Sequence, residues 1–551
     1  MEVFLDYCMS YCCMCCSCFC PRDFDDDLYE PLLLEEERTA VNELLNYLNR
    51  EYEEKPVLSK DRQHALSILT YSHNEDLQRS AALCLAELSE RLQQPIPMEL
   101  MEPLIVLLES RDIETQKAAS LAISNLTLYG PDSNKVTIMQ SGAIHVLIRL
   151  LKSPSREIQC NACGCITTLA TTDVNKREIV RCGGIPSLIK LARSQDLSVK
   201  RNAAGALLNL THVESNRSAL VSAGAVQLFI DLLDTNDTDV QYYCAAAISN
   251  MAVDETHRAT VVKEGNHKVL TVLIRLLQSP SDKVKCQACF ALRNLASDEP
   301  NQVAIVEMGA LPYLQNIMQA SEDETMAAAI AALRNLSIHK ANEKLIIEKG
   351  FLVDLNRILH EPLLWDAHCH AAGTVRNLAA GSQANVIVEQ GVLDSLIFVF
   401  LQTTSPVSVQ AEITAAMAVM GSNESARKRL TNGGTGKILS RLVSLAVNST
   451  HSEVQYNSAG TIGQMLSAGN DLTSHLISTN QSGIMTYLQQ FLESVDPAFV
   501  HIALWTIMQL LNDPGFHAAF DSSELPHRIE DILKSSLPSQ IKHLARTVLA
   551  K

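Results

Sequence analysis

The chain has 551 residues and a formal net charge of −17, from 45 Lys and Arg against 62 Asp and Glu. Hydrophobic residues make up 47% of it and charged residues 19%, which excludes a globally disordered protein because there is enough apolar material for a large core. The acidic balance argues against nucleic-acid binding, and no uninterrupted apolar run reaches the roughly eighteen residues of a membrane-spanning helix.

The N-terminus carries a cluster of cysteines in the segment CMSYCCMCCSCFC at 8–20. S-acylation needs only exposed thiols near a membrane, and two or more lipid chains give stable anchoring. CxxC spacings, such as Cys12 to Cys15, also allow metal binding by thiolates within the cluster, and a flexible tail with incidental thiols is a third interpretation. We favour acylation, because no paired His or distant Cys pair completes a metal site. The predicted acylation sites are Cys12, Cys13, Cys15, Cys16, Cys18 and Cys20, with Cys8 as a further thiol.

A run of acidic residues follows the cysteines, so that the first forty residues contain ten acids and two bases. An anionic membrane surface would repel this run, which therefore reads as a spacer rather than a polybasic anchor. The predicted organisation is a lipid-anchor segment at 1–22, an acidic spacer at 23–39 and a repeat domain at 40–551. The remaining nine cysteines are scattered among Ala and Leu and are predicted to be small core residues in a reducing compartment.

The repeat domain has a period of about 42 residues. An Asn follows a small apolar run in six places, and Thr168 fills the one gap, so that successive spacings are 43, 41, 41, 44, 41 and 42. These Asn, which we call the ladder Asn, are Asn125, Asn209, Asn250, Asn294, Asn335 and Asn377. Glycines keep the same period, at Gly142, Gly184, Gly224, Gly265, Gly309, Gly350, Gly391 and Gly434.

A unit of this length fits one short and two longer helices. The glycines predict breaks between helices, and Asn134, Asn175, Asn216, Asn301 and Asn342 are predicted N-caps at helix starts. One such unit cannot bury its apolar face alone, whereas stacked units share a continuous core. The pattern is that of the armadillo repeat. It predicts an all-α, right-handed superhelical solenoid of about eleven repeats, preceded by a disordered Cys-rich tail.

The concave face of such a stack is the predicted binding site. The side-chain amide of a ladder Asn matches the N–H and C=O groups of an extended peptide, although each Asn could instead only tie its helix to the next repeat. Arg293, Arg334 and Arg376 each precede a ladder Asn in three successive repeats. Together they predict a basic line about 20 Å long, which spans roughly six or seven extended residues. The alternative is that each Arg pairs with a neighbouring acid or points to water. The predicted groove residues are Arg293, Arg334, Arg376, Asn209, Asn250, Asn294, Asn335 and Asn377.

Several segments resemble the fungal vacuolar armadillo proteins of vacuole inheritance and fusion, and the likeness covers nearly the whole chain from about residue 40. They are DLQRSAAL (76–83), VQYYCAAAISNMAVDE (240–255), VKCQACFALRNLASD (284–298) and HIALWTIMQLL (501–511). The resemblance implies a lipid-anchored scaffold on the cytosolic face of the vacuole membrane, and the three arginines match that family's groove arginines. It implies protein partners in vacuole inheritance (a myosin vacuole adaptor), vacuole fusion, nucleus–vacuole contacts (a nuclear-envelope junction protein) and autophagy (a regulatory subunit of the initiating kinase).

The resemblance has one departure at the N-terminus. Family members usually begin Met-Gly and are myristoylated on that Gly, whereas this sequence has Glu2. Either acylation of the cysteines carries the anchoring, or the true start differs. Which cysteines are acylated, which partners are retained and whether the solenoid forms a homo-oligomer stay open.

Two other kinds of armadillo protein are alternatives. Nuclear-import receptors carry Trp four residues before the ladder Asn, where this chain has Leu121, Gly205, Ala246, Phe290, Ala331 and Gly373. A catenin-like cytosolic adaptor shares a basic groove and stays open as the alternative.

The sequence gives little support for an enzyme, and we predict neither a cofactor nor a metal ion. The segment NGGTGK (432–437) lacks the leading Gly and the final Ser or Thr of a phosphate-binding loop. His368 and His370 flank Cys369 and might suggest a metal site. Their spacing on a helix directs the two imidazoles to different faces.

Overall fold

The computed structural model of the chain describes residues 33–50, 58–92, 94–264, 268–432, 436–467 and 471–551. Within these ranges the protein is built of α-helices and one short 3-10 turn, and they contain no strand. This confirms the predicted all-α class. The predicted acylation sites, the disordered tail and most of the predicted acidic spacer lie outside the described residues. The described helices begin at Glu35.

The chain divides into two compact units, Met1–Gly265 and Asn266–Lys551. The helices of the first unit are α1 (Glu35–Arg50), α2 (Lys60–Thr70), α3 (Glu75–Arg91), α4 (Met101–Leu108), α5 (Ile113–Leu128), α6 (Asp132–Gln140), α7 (Ala143–Leu150), α8 (Arg156–Leu169), α9 (Asp173–Arg181), α10 (Gly184–Ala192), α11 (Leu197–Thr211), α12 (Glu214–Ser222), α13 (Ala225–Leu232), α14 (Thr238–Met251) and α15 (Glu255–Glu264), with the 3-10 turn at Met98–Leu100.

The second unit continues in the same manner. Its helices are α16 (Lys268–Leu276), α17 (Asp282–Leu295), α18 (Glu299–Glu307), α19 (Ala310–Ala320), α20 (Asp323–Leu336), α21 (Lys340–Glu348), α22 (Phe351–His360), α23 (Trp365–Ala380), α24 (Ala384–Glu389), α25 (Val392–Leu401), α26 (Val407–Met420), α27 (Glu424–Asn432), α28 (Lys437–Asn448), α29 (Ser452–Leu466), α30 (Asp471–Leu492), α31 (Pro497–Leu510), α32 (Pro514–Asp521), α33 (Leu525–Lys534) and α34 (Ser539–Leu549).

The proportions of one repeat differ from the prediction of one short and two longer helices. Helices α6, α7 and α8 have 9, 8 and 14 residues, so that two short helices precede one long helix. The long third helix begins at an Asp N-cap in several repeats. Asp112, Asp196 and Asp237 each accept a hydrogen bond from a main-chain N–H of the first turn, which stabilises the helix start.

In each unit, successive third helices pack against one another. In the first unit α3, α5, α8, α11 and α14 pack in sequence, and in the second α17, α20, α23, α26, α29 and α31 do the same. Close approach depends on small buried residues, since Ala203, Ala204 and Ala206 of α11 and Ala371 and Ala372 of α23 are fully buried. Each of these third helices therefore buries one face against its neighbours.

Glycines separate the first and second helices where the sequence predicts a break, with two shifts of position. The φ angle is between 77° and 84° at five of them, Gly142, Gly224, Gly309, Gly350 and Gly391. This left-handed conformation is unfavourable for residues that have a Cβ. In the repeat around 184 it is Gly183, not the predicted Gly184, that adopts this conformation, and near the predicted Gly434 it is Gly436. Gly265 and Gly434 themselves lie outside the described residues.

The predicted N-cap role is wrong for the five Asn at 134, 175, 216, 301 and 342. Thr172 is the N-cap of α9, and Asn175 lies inside that helix, where its side chain donates to the carbonyl of Leu169 at 2.9 Å. Asn301 and Asn342 make the same bond, at 2.9 Å to the carbonyls of Leu295 and Leu336. These side chains therefore cap the C-terminus of the preceding third helix, whose last carbonyls lack partners within the helix. Asn134 and Asn216 bond in the same way.

The predicted core position of the nine scattered cysteines is correct for six and wrong for three. Cys84, Cys163, Cys165, Cys244, Cys286 and Cys289 are buried, whereas Cys160, Cys182 and Cys369 are half-buried. Burial raises the pKa of the Cys165 thiol to about 12, so the buried group stays protonated. Among the described helices, none combines the length and the hydropathy needed to cross a bilayer.

Candidate partner-binding groove

The three predicted arginines occupy equivalent places on successive third helices of the second unit. Arg293 lies in the last turn of α17, Arg334 in the last turn of α20, and Arg376 in α23 directly before Asn377. All three are half-buried, and the side chains of Arg334 and Arg376 keep 24% and 28% of their surface exposed. They are thus neither locked in the core nor fully in solvent.

His370 lies near two of these arginines, Arg334 and Arg293, whose positive charges both act on its imidazole. Burial of the imidazole, followed by the positive charges of Arg334 and Arg293, lowers the pKa of His370 to about 4. The exposed carboxylate of Asp366, one turn earlier on α23, acts in the opposite direction. His370 is therefore neutral at pH 7 and adds no charge to the groove.

An acidic residue that the sequence analysis did not identify joins two of the arginines. Glu412 of α26 accepts a hydrogen bond at Oε1 from Nη2 of Arg334, and its Oε2 lies 2.8 Å from Nη1 of Arg376. Its side chain is only 14% exposed. For Arg334 and Arg376 the alternative of pairing with an acid thus describes the structure. Glu412 lies seven residues before Val419, the register position of its repeat, so that a search of every helix position two turns before the ladder would have found it.

Arg293 has a different environment. Its guanidinium carbon lies 5.8 Å from the centre of the Phe290 ring, within the range of a cation–π interaction. Among the described residues no carboxylate pairs with it. Phe290 occupies the place where import receptors have Trp, and here the aromatic ring supports an arginine of the same helix.

Gly373 makes room for Arg334. A Cβ at this position would lie 2.5 Å from Nε and 2.9 Å from Cδ of Arg334, so that the arginine stem packs on the bare helix backbone. From the sequence, Gly373 is only one of the positions where the Trp of import receptors is absent. One Trp does occupy the equivalent position in a later repeat. Trp505 stands four residues before Gln509, and its ring packs over Gly463, where a Cβ would lie 2.2 Å from Cζ3.

Within each unit, ladder Asn tie a third helix to the third helix before it. In the second unit the side-chain amide of Asn335 donates to the carbonyl of Arg293 at 2.8 Å, and that of Asn377 to the carbonyl of Arg334 at 2.9 Å. In the first unit Asn209 donates to the carbonyl of Thr167 at 2.9 Å.

Asn250 donates instead to the hydroxyl of Thr211, also at 2.9 Å. Asn294 occupies the same place on α17 and is half-buried. The structural role therefore uses the donor. The side-chain oxygens of Asn209, Asn335 and Asn377 accept no hydrogen bond from the described residues, so that their acceptor capacity is unused within this part of the chain.

The imidazoles of His368 and His370, the possible metal ligands in the sequence, have different surroundings. Nε2 of buried His368 donates to the carbonyl of Ile358 at 3.0 Å, whereas His370 faces the arginines. Elsewhere in the described residues His145, Glu178 and Cys182 bring their ligand atoms within 4.8 Å of one another. Arg181 already engages both oxygens of Glu178, at 2.8 and 2.6 Å, and this pair lowers the pKa of Glu178 to about 2. A cation at this cluster would compete with Arg181.

Comparison with known proteins agrees with the repeat pattern. Residues 131–171, 172–212, 214–253 and 265–297 match the Armadillo/beta-catenin-like repeat. The chain is 44% identical over 516 residues to vacuolar protein 8 of Schizosaccharomyces pombe, which covers 93% of this chain and 92% of that relative. It is 49% identical over 500 residues to vacuolar protein 8 of Komagataella pastoris, with 90% and 88% covered.

Solved structures give the same fold. An engineered protein with 29% identity superposes with a TM-score of 0.64 over 73% of this chain and 98% of its own. A structure from a study of the interaction between cadherin and beta-catenin superposes with a TM-score of 0.66 over 88% of this chain and 98% of its own, at 15% identity. The second likeness bears on the fold alone.

Proposed function

Because the chain belongs to the vacuolar protein 8 family of armadillo-repeat proteins, we propose that it is a protein-binding scaffold held on the cytosolic face of the vacuole membrane. Extended segments of partner proteins bind along the third helices of the second unit, at Arg293, Arg334 and Arg376. Asn294, Asn335 and Asn377 hold main-chain groups of such segments, and Asn209 and Asn250 do the same for segments bound on the first unit. The protein acts by binding, without catalysis and without a cofactor.

The observation that carries this proposal is the placement of Arg293, Arg334 and Arg376 at equivalent positions of three successive third helices, each half-buried. All three keep part of their side chain exposed in a protein whose net charge is negative, which supports a role in binding rather than in the core. Guanidinium groups donate up to two parallel hydrogen bonds to carboxylates or carbonyls, and each charge-assisted bond contributes about 1.5–3 kcal/mol.

Partners follow from the family. We propose a nuclear-envelope junction protein at nucleus–vacuole contacts, a regulatory subunit of the autophagy kinase, and a myosin adaptor in vacuole inheritance, with a further role in vacuole fusion. The test is a pull-down of these partners with an R293A/R334A/R376A variant. A matched control, R149A/R181A/R429A, removes the same charge from exposed arginines elsewhere. Loss of the first two partners in the first variant alone is expected. Equal capture by both folded variants would refute the groove assignment.

Membrane attachment is proposed to depend on acylation of Cys12, Cys13, Cys15, Cys16, Cys18 and Cys20. Changing these and Cys8 to Ser in a tagged chain should release it from the vacuole, because stable anchoring needs at least two lipid chains. Changing the half-buried Cys160, Cys182 and Cys369 to Ser is the control and should leave it in place. Retention of the first variant on the vacuole would contradict acyl anchoring. A diffuse cytosolic wild type would favour the catenin-like adaptor.

A further inference from the structure

The arginine cluster is not uniform in charge. Arg334 and Arg376 share the carboxylate of Glu412, one guanidinium on each oxygen, and the acid is nearly buried between them. Arg293 lies over Phe290 and shares no carboxylate among the described residues. One end of the cluster is thus half neutralised by the protein itself, and the other end keeps its full positive charge.

This asymmetry changes what each end can bind. A ligand carboxylate that bonds to Arg334 or Arg376 would lie within a few ångströms of Glu412, and the two negative charges would repel each other in a partly desolvated site. A main-chain carbonyl or a side-chain amide oxygen can accept the remaining N–H groups of the same arginines without that repulsion. At Arg293 no carboxylate of the described residues is paired with the guanidinium, so that a ligand carboxylate does not approach a bound acid there.

We infer that the groove contains two subsites of different chemistry, and that Glu412 is the residue that sets this difference. Arg293 is a carboxylate subsite, and the Arg334–Arg376 pair is a subsite for uncharged oxygen acceptors. This inference rests on the proposed function of the groove. The expected ligands are extended segments in which one acidic residue is separated by about three or more residues from an uncharged stretch. Polyacidic segments are not the expected ligands.

Gly373 and His370 support the same division. The arginine stem of Arg334 lies on the backbone at Gly373, which directs its guanidinium along the groove toward Glu412. His370, neutral at pH 7, stands near both Arg293 and Arg334. It therefore adds no charge to either subsite.

The test uses a library of random dodecapeptides displayed on phage and selected on the immobilised full-length chain. Wild-type protein should select peptides with a single Asp or Glu followed by uncharged residues. With E412Q, which keeps one oxygen acceptor for the arginines, a second acidic residue should be enriched about tenfold. An E412Q variant that selects the same number of acidic residues as wild type, with an unchanged melting temperature, would overturn the inference.

Two further variants separate this result from failure of the groove itself. R293A should lose the preference for the single acidic residue while still binding uncharged peptides, and E412A, which leaves no acceptor, should show the same enrichment as E412Q. If R293A/R334A/R376A selects the same peptides as wild type, the groove assignment fails. If that triple variant loses them but E412Q changes nothing, only the division into subsites fails.

Discussion

At the scale of single residues, the position and pairing of the Arg334 side chain depend on residues of two later third helices, α23 and α26. Gly373 provides the space for its stem, and Glu412 pairs with its guanidinium. Its own carbonyl is fixed by Asn377 at 2.9 Å. The residue type at position 334 therefore accounts for only part of its role, and substitutions that never touch the guanidinium should alter binding.

Gly373→Ala tests this most simply. The added methyl group should displace the stem of Arg334 and weaken peptide binding by about tenfold, or ~1.4 kcal/mol, while the helix itself gains propensity. Gly205→Ala is the matched control, because its Cβ would lie 3.6 Å from Thr167 and 3.7 Å from Tyr243, an ordinary contact distance. Isothermal titration with a selected peptide measures both. Equal affinities would show that Arg334 does not depend on the space at Gly373.

Because of His370, we expect the free energy of unfolding to depend on pH. Its pKa is lowered to about 4 in the folded chain from about 6.5 unfolded, so that the unfolded state binds more protons between these values. The free energy of unfolding should therefore be full above pH 6.5 and fall as the pH drops toward 4, by roughly 1–2 kcal/mol for this partly exposed group.

Urea unfolding at pH 7 and pH 5 of wild type and of H370Q measures this contribution. The fall between the two pH values should be smaller in H370Q, and the exposed-residue control H527Q should match wild type. An H370Q variant with the same pH dependence as wild type would show that the imidazole is not held neutral by its surroundings.

At the scale of helices, the cap supplied by Asn342 joins three elements. Its buried amide donates to the carbonyl of Leu336 at 2.9 Å and to that of Gln302 at 3.0 Å, so that one side chain of α21 satisfies α20 and α18. Asn342→Ala would leave both carbonyls without this donor and should cost about 2–3 kcal/mol of unfolding free energy.

Lys344→Ala on the exposed face of the same helix is the control, since its ion pair with Glu348 spans 3.6 Å in solvent and contributes little. Thermal and urea unfolding compare the two variants. A loss in N342A no larger than in K344A would mean that water replaces the Asn side chain at these carbonyls.

The helices and the groove differ in how far the sequence predicts them. The period, the third helices and the positions of Arg293, Arg334 and Arg376 follow from a register that repeats every 42 residues or so. The role of Asn175 does not, because it bonds to a helix that ends before its own begins. Glu412 was missed for a related reason, since it lies 78 residues from Arg334 and meets it only through packing of successive third helices.

At the scale of the whole molecule, the contacts of a repeat are mainly with its neighbours in the chain, and the Arg334–Glu412 pair is an exception that reaches two repeats away. Stability in such a protein is close to a sum of local terms, so that a destabilised repeat should open without unfolding distant ones. In N342A, hydrogen exchange should therefore rise in α18–α21 and stay unchanged in α5–α8. Uniform acceleration across both regions would instead indicate a single cooperative transition.

The central claim is that the third helices of the second unit bind partner segments through the three arginines. A structure of the full-length chain with a selected peptide tests it most directly. We predict a peptide carboxylate on Arg293 and peptide carbonyl or amide oxygens on Arg334 and Arg376, each about 3 Å from a guanidinium nitrogen, with Glu412 still between the latter two. A peptide bound on another face of the unit, with none of the three guanidinium groups in contact, would contradict the account.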